Sequence, residues 1–242
     1  MDRIFFNNNK IKEAICQFSF KTPIEIDLVN KFWDILSKDG KYTKREQSPL
    51  VHFNINIFEP NKQLGTKSEE NIFSNDNRDK VIKIFPNNLS IHQVGNYTKW
   101  EDFATDIKYV LLCFQQIFDV EIARFDIRAI NDFEFEKNFN PNENFFIGVK
   151  YPDNLINSPN YTFTIEHPYV LGKIYGVVKV NFVSQNDKSN FILDLSYTHF
   201  TIDPSINIKD TDNIIEILTN GQIKLYELFF HSITEKTKKL IK

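Results

Sequence analysis

Apolar and polar residues alternate along the first long segment of the chain, Ile11–Phe20. Ala14, Cys16 and Phe18 fall on one side of an extended backbone, because successive side chains of a strand point to opposite faces. The pattern therefore predicts a strand with one buried face.

A helical pattern follows this strand. The segment Thr22–Glu25 reads TPIE, which combines a threonine N-cap, a proline at the first helical position and the glutamate of a capping box. A helix is predicted to begin here and to end at Asp39-Gly40. Its apolar face is formed by Val29, Phe32, Trp33 and Leu36.

The next segments are predicted to be extended. Leu50–Phe58 alternates like a half-buried strand, whereas Pro60–Arg78 is polar without periodicity and is predicted to be a long surface loop. Lys80–Phe85 and Leu89–Val94 flank a Pro-Asn-Asn turn and predict a hairpin.

A long helix is predicted over Thr98–Phe118. It begins with a second capping box, Thr98-x-x-Glu101. A continuous apolar stripe follows, and a stripe of this width favours packing on a sheet over binding a partner. The stripe consists of Trp100, Phe103, Ile107, Val110, Leu111, Phe114, Ile117 and Phe118.

The second half of the chain opens with another alternating strand, Glu121–Glu136. The predicted alternation is interrupted only at Ile130 and Asn131. The apolar face carries Phe125, Ile127, Ala129, Phe133 and Phe135, and the charged face carries Arg124, Asp126, Arg128, Asp132, Glu134 and Glu136.

Three more strands and a final helix complete the pattern. The strands are predicted at Tyr161–Glu166, Lys173–Val183 and Phe191–Ile202, and the helix at Asp212–Ile241. Gly221 lies in the middle of this helix, where glycine costs about 1 kcal/mol relative to alanine. It therefore marks a kink or a close packing contact.

The same order of elements thus occurs twice. It predicts an α+β fold of two similar halves, residues 1–119 and 120–242, each a curved antiparallel sheet with a long packing helix. This duplicated β-α-β-β-β-α arrangement would give a saddle-like body. One compact domain is the alternative organisation.

Composition narrows the class of protein. The 242 residues include 24 Phe and carry a net charge of −3, which predicts an aromatic core and no general attraction to nucleic acid or anionic membranes. No segment approaches the roughly 20 apolar residues of a membrane span, and the first residues lack the apolar run of a signal peptide. A cytoplasmic protein that does not bind membranes is expected.

The sequence contains no recognisable catalytic or metal-binding motif. Cys16 and Cys113 lack the spacing of a zinc site or a disulfide framework and are predicted to be buried. The nucleophile elbow and both nucleotide-binding fingerprints are absent from the sequence, and no metal or cofactor is predicted. The five histidines are scattered along the chain: His52, His92, His167, His199 and His231.

The charged face of the second-half strand is the most informative polar feature. Arg124, Asp126 and Arg128 recur at a period of two, about 7 Å apart. Such a row either binds an anionic partner or forms a ladder of ion pairs, and the ladder is favoured. If another element covers this face, Arg128 must be paired, since an unpaired buried charge is strongly unfavourable.

Four segments together resemble a sporadically distributed bacterial family of uncharacterised proteins of similar length. They are Ile11–Phe20 (IKEAICQFSF), Tyr97–Phe103 (YTKWEDF), Ala123–Asn131 (ARFDIRAIN) and Leu228–Thr234 (LFFHSIT). The last helix of that family often carries a histidine where this chain has Gly221. This departure puts any role of that histidine in doubt.

The resemblance implies a biological setting and a set of residues to test. The patchy distribution of the family implies mobile or defence-associated genes, including phage defence. The family pattern directs attention to Tyr97, Trp100, Arg128 and Asn131 as candidate binding residues, beside Arg124 and Asp126 from the strand pattern.

We therefore expect a non-catalytic binding or accessory protein of the bacterial cytoplasm that contacts another protein. A nucleic-acid-binding protein that uses the sheet face is the first alternative. An enzyme whose site assembles only in space, from Arg128, Asp126 and a histidine, is the second. Self-association of the chain is left open.

Overall fold

The architecture is that of a computed structural model, which describes residues 11–54, 64–134, 144–145, 161–171, 174–185, 190–201 and 205–240. It combines a large antiparallel sheet with a layer of helices, so the predicted α+β class is confirmed. The strands are β1 Ile11–Phe20, β2 Lys44–Asn54, β3 Leu64–Ser74, β4 Lys80–Phe85, β5 Asn88–Val94, β6 Glu121–Glu134, β7 Tyr161–Leu171, β8 Ile174–Gln185, β9 Asn190–Phe200 and β10 Ile206–Asn207. The helices are α1 Val29–Leu36, α2 Trp100–Phe114, α3 Thr211–Ser232 and α4 Glu235–Leu240, with a 3-10 turn at Ile26–Leu28.

The described strands join in a single sheet. Its order is β2-β3-β4-β5-β1-β6-β9-β8-β7, and the short β10 pairs with β6. The neighbours β1 and β6 come from the two predicted halves, and Cys16 of β1 lies opposite both Ile91 of β5 and Ile127 of β6. The outermost strands are β2 at one end and β7 at the other.

One face of the sheet is covered by helices. Alternation places Cys16, Phe18, Phe125 and Ile127 on this face, where each is at most 3% exposed. Helix α3 packs against β6, β9 and α2, and α2 in turn packs against α1. The stripe predicted on the second helix therefore faces the core.

Aromatic rings form much of the contact between the sheet and the helices. Phe114 of α2 stacks on Phe20 of β1 with ring centroids 5.5 Å apart, and it meets Phe32 of α1 edge-on at 5.6 Å. Phe18 and Phe125 approach to 6.4 Å across the β1–β6 pair. Offset and edge-on aromatic pairs stabilise a core by about 0.5–1.5 kcal/mol each beyond their buried area.

Both predicted capping boxes are wrong. The first helical residues are Ile26 and Trp100, and the N-cap positions before them, Glu25 and Lys99, make no side-chain cap. The Thr98 hydroxyl donates to the Asp102 carboxylate at 2.7 Å instead. These helices depend on packing for their position, because the capping sequences lie outside the first helical turn.

The predicted surface loop Pro60–Arg78 is also wrong, because it contains the strand β3. This strand pairs with β2 over its full length, from Leu64 opposite Asn54 to Ser74 opposite Lys44. Its sequence, LGTKSEENIFS, lacks an apolar period of two. Backbone pairing with β2 and β4 keeps this segment extended, although its side-chain pattern does not predict a strand.

The other predicted strands are recovered with shifted ends. The hairpin of β4 and β5 is confirmed, and β2 begins six residues before the predicted Leu50. Strand β6 is described to Glu134, and β7 continues beyond Glu166 to Leu171. Residues 55–58, 135–136, 173 and 202 of the predicted strands and residue 241 of the last predicted helix lie outside the described residues.

The last predicted helix is divided in two. Ile233 adopts an extended conformation, with φ −113° and ψ 142°, and pairs with Phe145 in an isolated bridge. Helix α3 therefore ends at Ser232 and α4 begins at Glu235. Among the described residues, no helix is both long and apolar enough to span a membrane.

The strand order is similar in the two predicted halves. In the first, the opening strand β1 pairs with the last strand β5, and in the second, the opening strand β6 pairs with the late strand β9. Shared pairing order does not establish that the halves superpose. The duplication into residues 1–119 and 120–242 stays a prediction.

Replacing Gly221 by Ala tests the contact between α3 and the sheet. A methyl group there would lie 2.7 Å from the Tyr197 ring and 3.1 Å from Ile127 Cδ1, so the predicted close packing contact is confirmed. We expect a net loss of about 1 kcal/mol in unfolding free energy, because overpacking by about 1–3 kcal/mol outweighs the gain of about 1 kcal/mol in helix propensity. Urea denaturation measures it. Asn220→Ala, at an exposed neighbouring position, is the control. An equal increase in unfolding free energy in both variants would contradict the close contact at Gly221.

Replacing His199 by Phe tests a buried imidazole. His199 is 4% exposed and stacks on Phe125 at 4.6 Å, and its Nδ1 has no hydrogen-bond partner among the described residues. Burial lowers the pKa of His199. The stability that its neutral form contributes is present above the ordinary histidine pKa of about 6.5 and is lost as pH falls below it.

We therefore expect the melting temperature to fall between pH 7 and about 5.5 in the wild-type protein, and to fall less in His199→Phe. Thermal unfolding at a series of pH values measures both slopes. The exposed His167 provides the control, since His167→Gln should retain the wild-type slope. Parallel slopes in all three proteins would show that His199 does not carry this pH dependence.

Candidate functional site on the open face of the sheet

The face of the sheet opposite the helices carries a group of described polar side chains. We use the name central polar strip for the part of this face on the four neighbouring strands β5, β1, β6 and β9. Cross-strand register brings its members together. They are Ser90, His92, Glu13, Gln17, Arg124, Asp126, Arg128, Asp194, Ser196 and Thr198.

Arg128 and Asp194 form the tightest ion pair of the strip. Arg128 donates from Nε to Asp194 Oδ1 at 2.7 Å and from Nη2 to Oδ2 at 2.5 Å. The Asp194 side chain is 7% exposed, whereas that of Arg128 is 45% exposed. The hydrogen bonds to Asp194 raise the pKa of Arg128, and the fork geometry is the one that favours arginine over lysine.

Asp126 is held between two neighbouring side chains. Arg124 Nε lies 3.0 Å from Asp126 Oδ2, an ion-pair distance without the alignment of a hydrogen bond. The Thr198 hydroxyl donates to Asp126 Oδ1. Burial raises the pKa of Asp126, and the contacts with Thr198 and Arg124 oppose this change. Both arginines of the predicted row thus contact carboxylates, as the ion-pair ladder requires.

A third hydrogen-bonded group lies on β5 and β1. His92 Nδ1 lies 2.7 Å from Glu13 Oε1, and His92 Nε2 lies 2.9 Å from Ser90 Oγ. The hydrogen bond with His92 lowers the pKa of Glu13, against the effect of burial. The charge of Arg128 also acts on Glu13 in the same direction, so this group is electrostatically linked to the Arg128–Asp194 ion pair.

Of the six candidate residues, Arg124, Asp126 and Arg128 lie on the open face. Asn131 does not: it is 2% exposed on the helix-covered face and donates to the carbonyl oxygens of Ala129 and Leu193. The β6–β9 ladder runs without a shift from Arg124 to Glu134. Side-chain direction therefore alternates through Ile130 and Asn131, where only the polarity pattern is interrupted, as predicted, and Arg128 and Asn131 point to opposite faces.

Tyr97 and Trp100 also lie on the helical side of the molecule. Trp100 is 5% exposed and donates from Nε1 to Thr219 Oγ1 at 3.1 Å, which connects α2 to α3. Tyr97 meets Phe103 edge-on at 6.1 Å. The Trp100 contact joins two helices, and the Tyr97 contact joins the segment before α2 to α2 itself.

Four members of the strip are not predicted from the sequence as site residues: Glu13, Ser90, His92 and Asp194. Alternation along Asn88–Val94 places Ser90 and His92 on one face, and this signal is visible in the sequence. Their proximity to Glu13 depends on the pairing of β5 with β1, which no local pattern specifies.

The described residues offer neither a cluster of metal ligands nor a reactive thiol. They contain no group of three or more His, Cys, Asp or Glu that could hold a metal ion. Cys16 and Cys113 are buried, as predicted, and burial raises the pKa of each thiol. Such thiols remain protonated and are poor nucleophiles.

Comparison with known proteins does not extend this description. No protein-family model matches the chain, and no curated protein is significantly similar to it. The resemblance to the bacterial family therefore rests on the four sequence segments quoted above.

Replacing Arg128 by Met tests the ion pair. The change removes two hydrogen bonds from the buried carboxylate of Asp194, and we expect a loss of about 1–3 kcal/mol in unfolding free energy. Chemical denaturation measures it. Lys209→Met is the control, because Lys209 and Asp119 are 53% and 62% exposed and water screens the attraction between exposed charges. Equal losses in the two variants would contradict a special role for burial.

Proposed function

We propose that this protein is a non-catalytic binding protein that uses the open face of its sheet to contact another protein. The observation that carries the proposal is the contrast between the two faces. Helices bury one face, whereas most members of the central polar strip, and neighbours such as Ile15 and Ile130, remain half-exposed or exposed on the other. A stable interface needs a surface of this mixed polar and apolar kind.

The sheet is large enough for such an interface. Nine strands in line at about 4.8 Å spacing extend for roughly 38 Å, and a ten-residue strand such as β1 is about 33 Å long. A standard interface needs about 800 Å² on each partner. The area of the open face therefore suits contact with a folded protein.

The charges of the strip favour a protein over a nucleic acid. Arg124 and Arg128 are each within 3.0 Å of a carboxylate oxygen, so their charge is neutralised within the chain. Binding to nucleic acid depends on cations that replace the counterions of phosphates. Paired arginines beside half-exposed isoleucines fit the composition of protein interfaces.

The proposal also covers the biological setting of the protein and the organisation of its chain into two halves. Resemblance to the bacterial family supports a cytoplasmic accessory role in phage defence or in a mobile element. The matching pairing order of the strands supports two related halves, each contributing strands to the one open face. Another protein is the proposed partner, and a second copy of the chain is an outcome that the experiment distinguishes.

Replacing Ser196 by Tyr tests this function. Ser196 lies half-exposed in the strip, on β9, and Asn220 lies exposed on α3. We expect the wild-type protein and Asn220→Tyr to co-elute in size-exclusion chromatography with the product of a neighbouring gene, and Ser196→Tyr to bind it at least tenfold more weakly. Isothermal titration calorimetry measures the affinities.

Three results would overturn the proposal. One is the absence of co-elution with any neighbouring gene product. Another is equal binding by both tyrosine variants. The third is a mobility shift with nucleic acid whose affinity falls steeply with salt, which would favour the nucleic-acid alternative. A homodimer that Ser196→Tyr dissociates would identify a second copy as the partner.

A further inference from the structure

The row Ser90–His92–Glu13 has a definite protonation pattern. The carboxyl of Glu13 has a lowered pKa through its hydrogen bond with His92, and an ionised carboxylate can only accept hydrogen bonds. His92 Nδ1 therefore carries the proton that Glu13 Oε1 accepts at 2.7 Å. In the neutral ring this leaves Nε2 as an acceptor, so the hydroxyl of Ser90, 2.9 Å away, donates to it.

We propose that Ser90 is a nucleophile for acyl transfer from a carboxylic ester, with His92 as its general base and Glu13 as the positioning residue. The two distances and the assignment of the two ring nitrogens satisfy the geometric requirements of a serine–histidine–carboxylate arrangement. This activity goes beyond the binding function proposed above and does not rest on it: it replaces the non-catalytic part of that proposal and leaves the contact with another protein unaffected.

The reaction needs only the ester and water. Ser90 Oγ attacks the acyl carbon and gives its proton to His92 Nε2, and the ester C–O bond breaks as Nε2 returns the proton to the leaving alkoxide. Water then attacks the acyl carbon and gives a proton to Nε2. Ser90 Oγ departs with that proton, and the carboxylic acid leaves.

Two flexible side chains flank the nucleophile. Gln17 on β1 and Lys83 on β4 lie directly opposite Ser90 in the sheet, where Cβ atoms are about 5 Å apart. Strand β5 is paired on both sides, so the donors for a developing oxyanion must be side chains. The amide of Gln17 and the ammonium of Lys83 are the groups in place to supply them.

The same two residues control access to the hydroxyl. Ser90 is 7% exposed, whereas Gln17 and Lys83 are half-exposed, and Lys83 Nζ lies 3.5 Å from Glu70 Oε1. Displacement of these long side chains would open Ser90 to a small ester. The site therefore suits a short acyl group in preference to a bulky one.

Covalent labelling of the full chain with a fluorophosphonate probe tests the proposal. We expect mass spectrometry to find one adduct, on the peptide that contains Ser90, and none in Ser90→Ala. Ser19→Ala is the matched control and should label like the wild type, because Ser19 lies on the same face but donates to Asn88 Oδ1 at 2.8 Å. If the row only satisfied polar groups, Ser90 would react like an ordinary hydroxyl.

Two further variants distinguish chemical from structural roles. In His92→Ala we expect labelling to slow by at least about 100-fold, the usual contribution of a general base, and added imidazole to restore part of the rate. In Glu13→Gln we expect slower labelling, because an amide no longer selects the required ring tautomer. Glu13→Asp should recover part of that loss, and melting curves confirm that each variant is folded.

Two results with the folded wild-type protein would overturn the proposal: absence of an adduct on Ser90, or labelling spread over several serines. An unchanged labelling rate in a folded His92→Ala would also overturn it. None of these results bears on the protein-binding function, which the Ser196→Tyr experiment tests separately.

Discussion

The pairing of β1 with β6 is the interaction on which the rest of the structure depends. It joins the strands of the two predicted halves into one sheet, and it aligns Phe18 with Phe125 and Cys16 with Ile127. Because side chains alternate, a slip of one residue would turn these apolar groups away from the helices and bury the charged row. The same register that completes the core therefore also assembles the central polar strip, so the core and the candidate site cannot vary independently.

Sequence patterns predicted the elements whose two faces differ most in polarity. Strands β1 and β6 were identified because one face of each is apolar, and the stripe of α2 was identified for the same reason. Strand β3 was missed because its polar sequence has no apolar period of two. Its extended conformation depends on backbone pairing with β2 and β4. Asn131 was misplaced because a polar residue on an apolar face looks like a break in the pattern. Its amide is satisfied there by two carbonyl oxygens, which only the folded sheet supplies.

In the candidate site, too, neighbours along one strand were predictable from the sequence, whereas contacts between distant parts of the chain were not. The spacing of Arg124, Asp126 and Arg128 along one strand predicted a row of charges on one face. The partner of Arg128, however, is Asp194, 66 residues further along the chain, and Glu13 lies 79 residues from His92. Contacts at such separations follow from strand order, which local periodicity does not encode. The five histidines therefore looked scattered in the sequence, although the fold gives one of them two well-placed partners.

The ends of the sheet have a consequence for the pairing of further strands. Strands β2 and β7 are outermost, and each contains one proline, Pro49 and Pro168. An edge strand normally offers a row of N–H and C=O groups to which another polypeptide can add. Proline has no N–H to offer, and in sheets it is confined to edges and irregular positions. At each end of the sheet formed by the described strands, the proline therefore removes one of the N–H groups through which a further strand could pair.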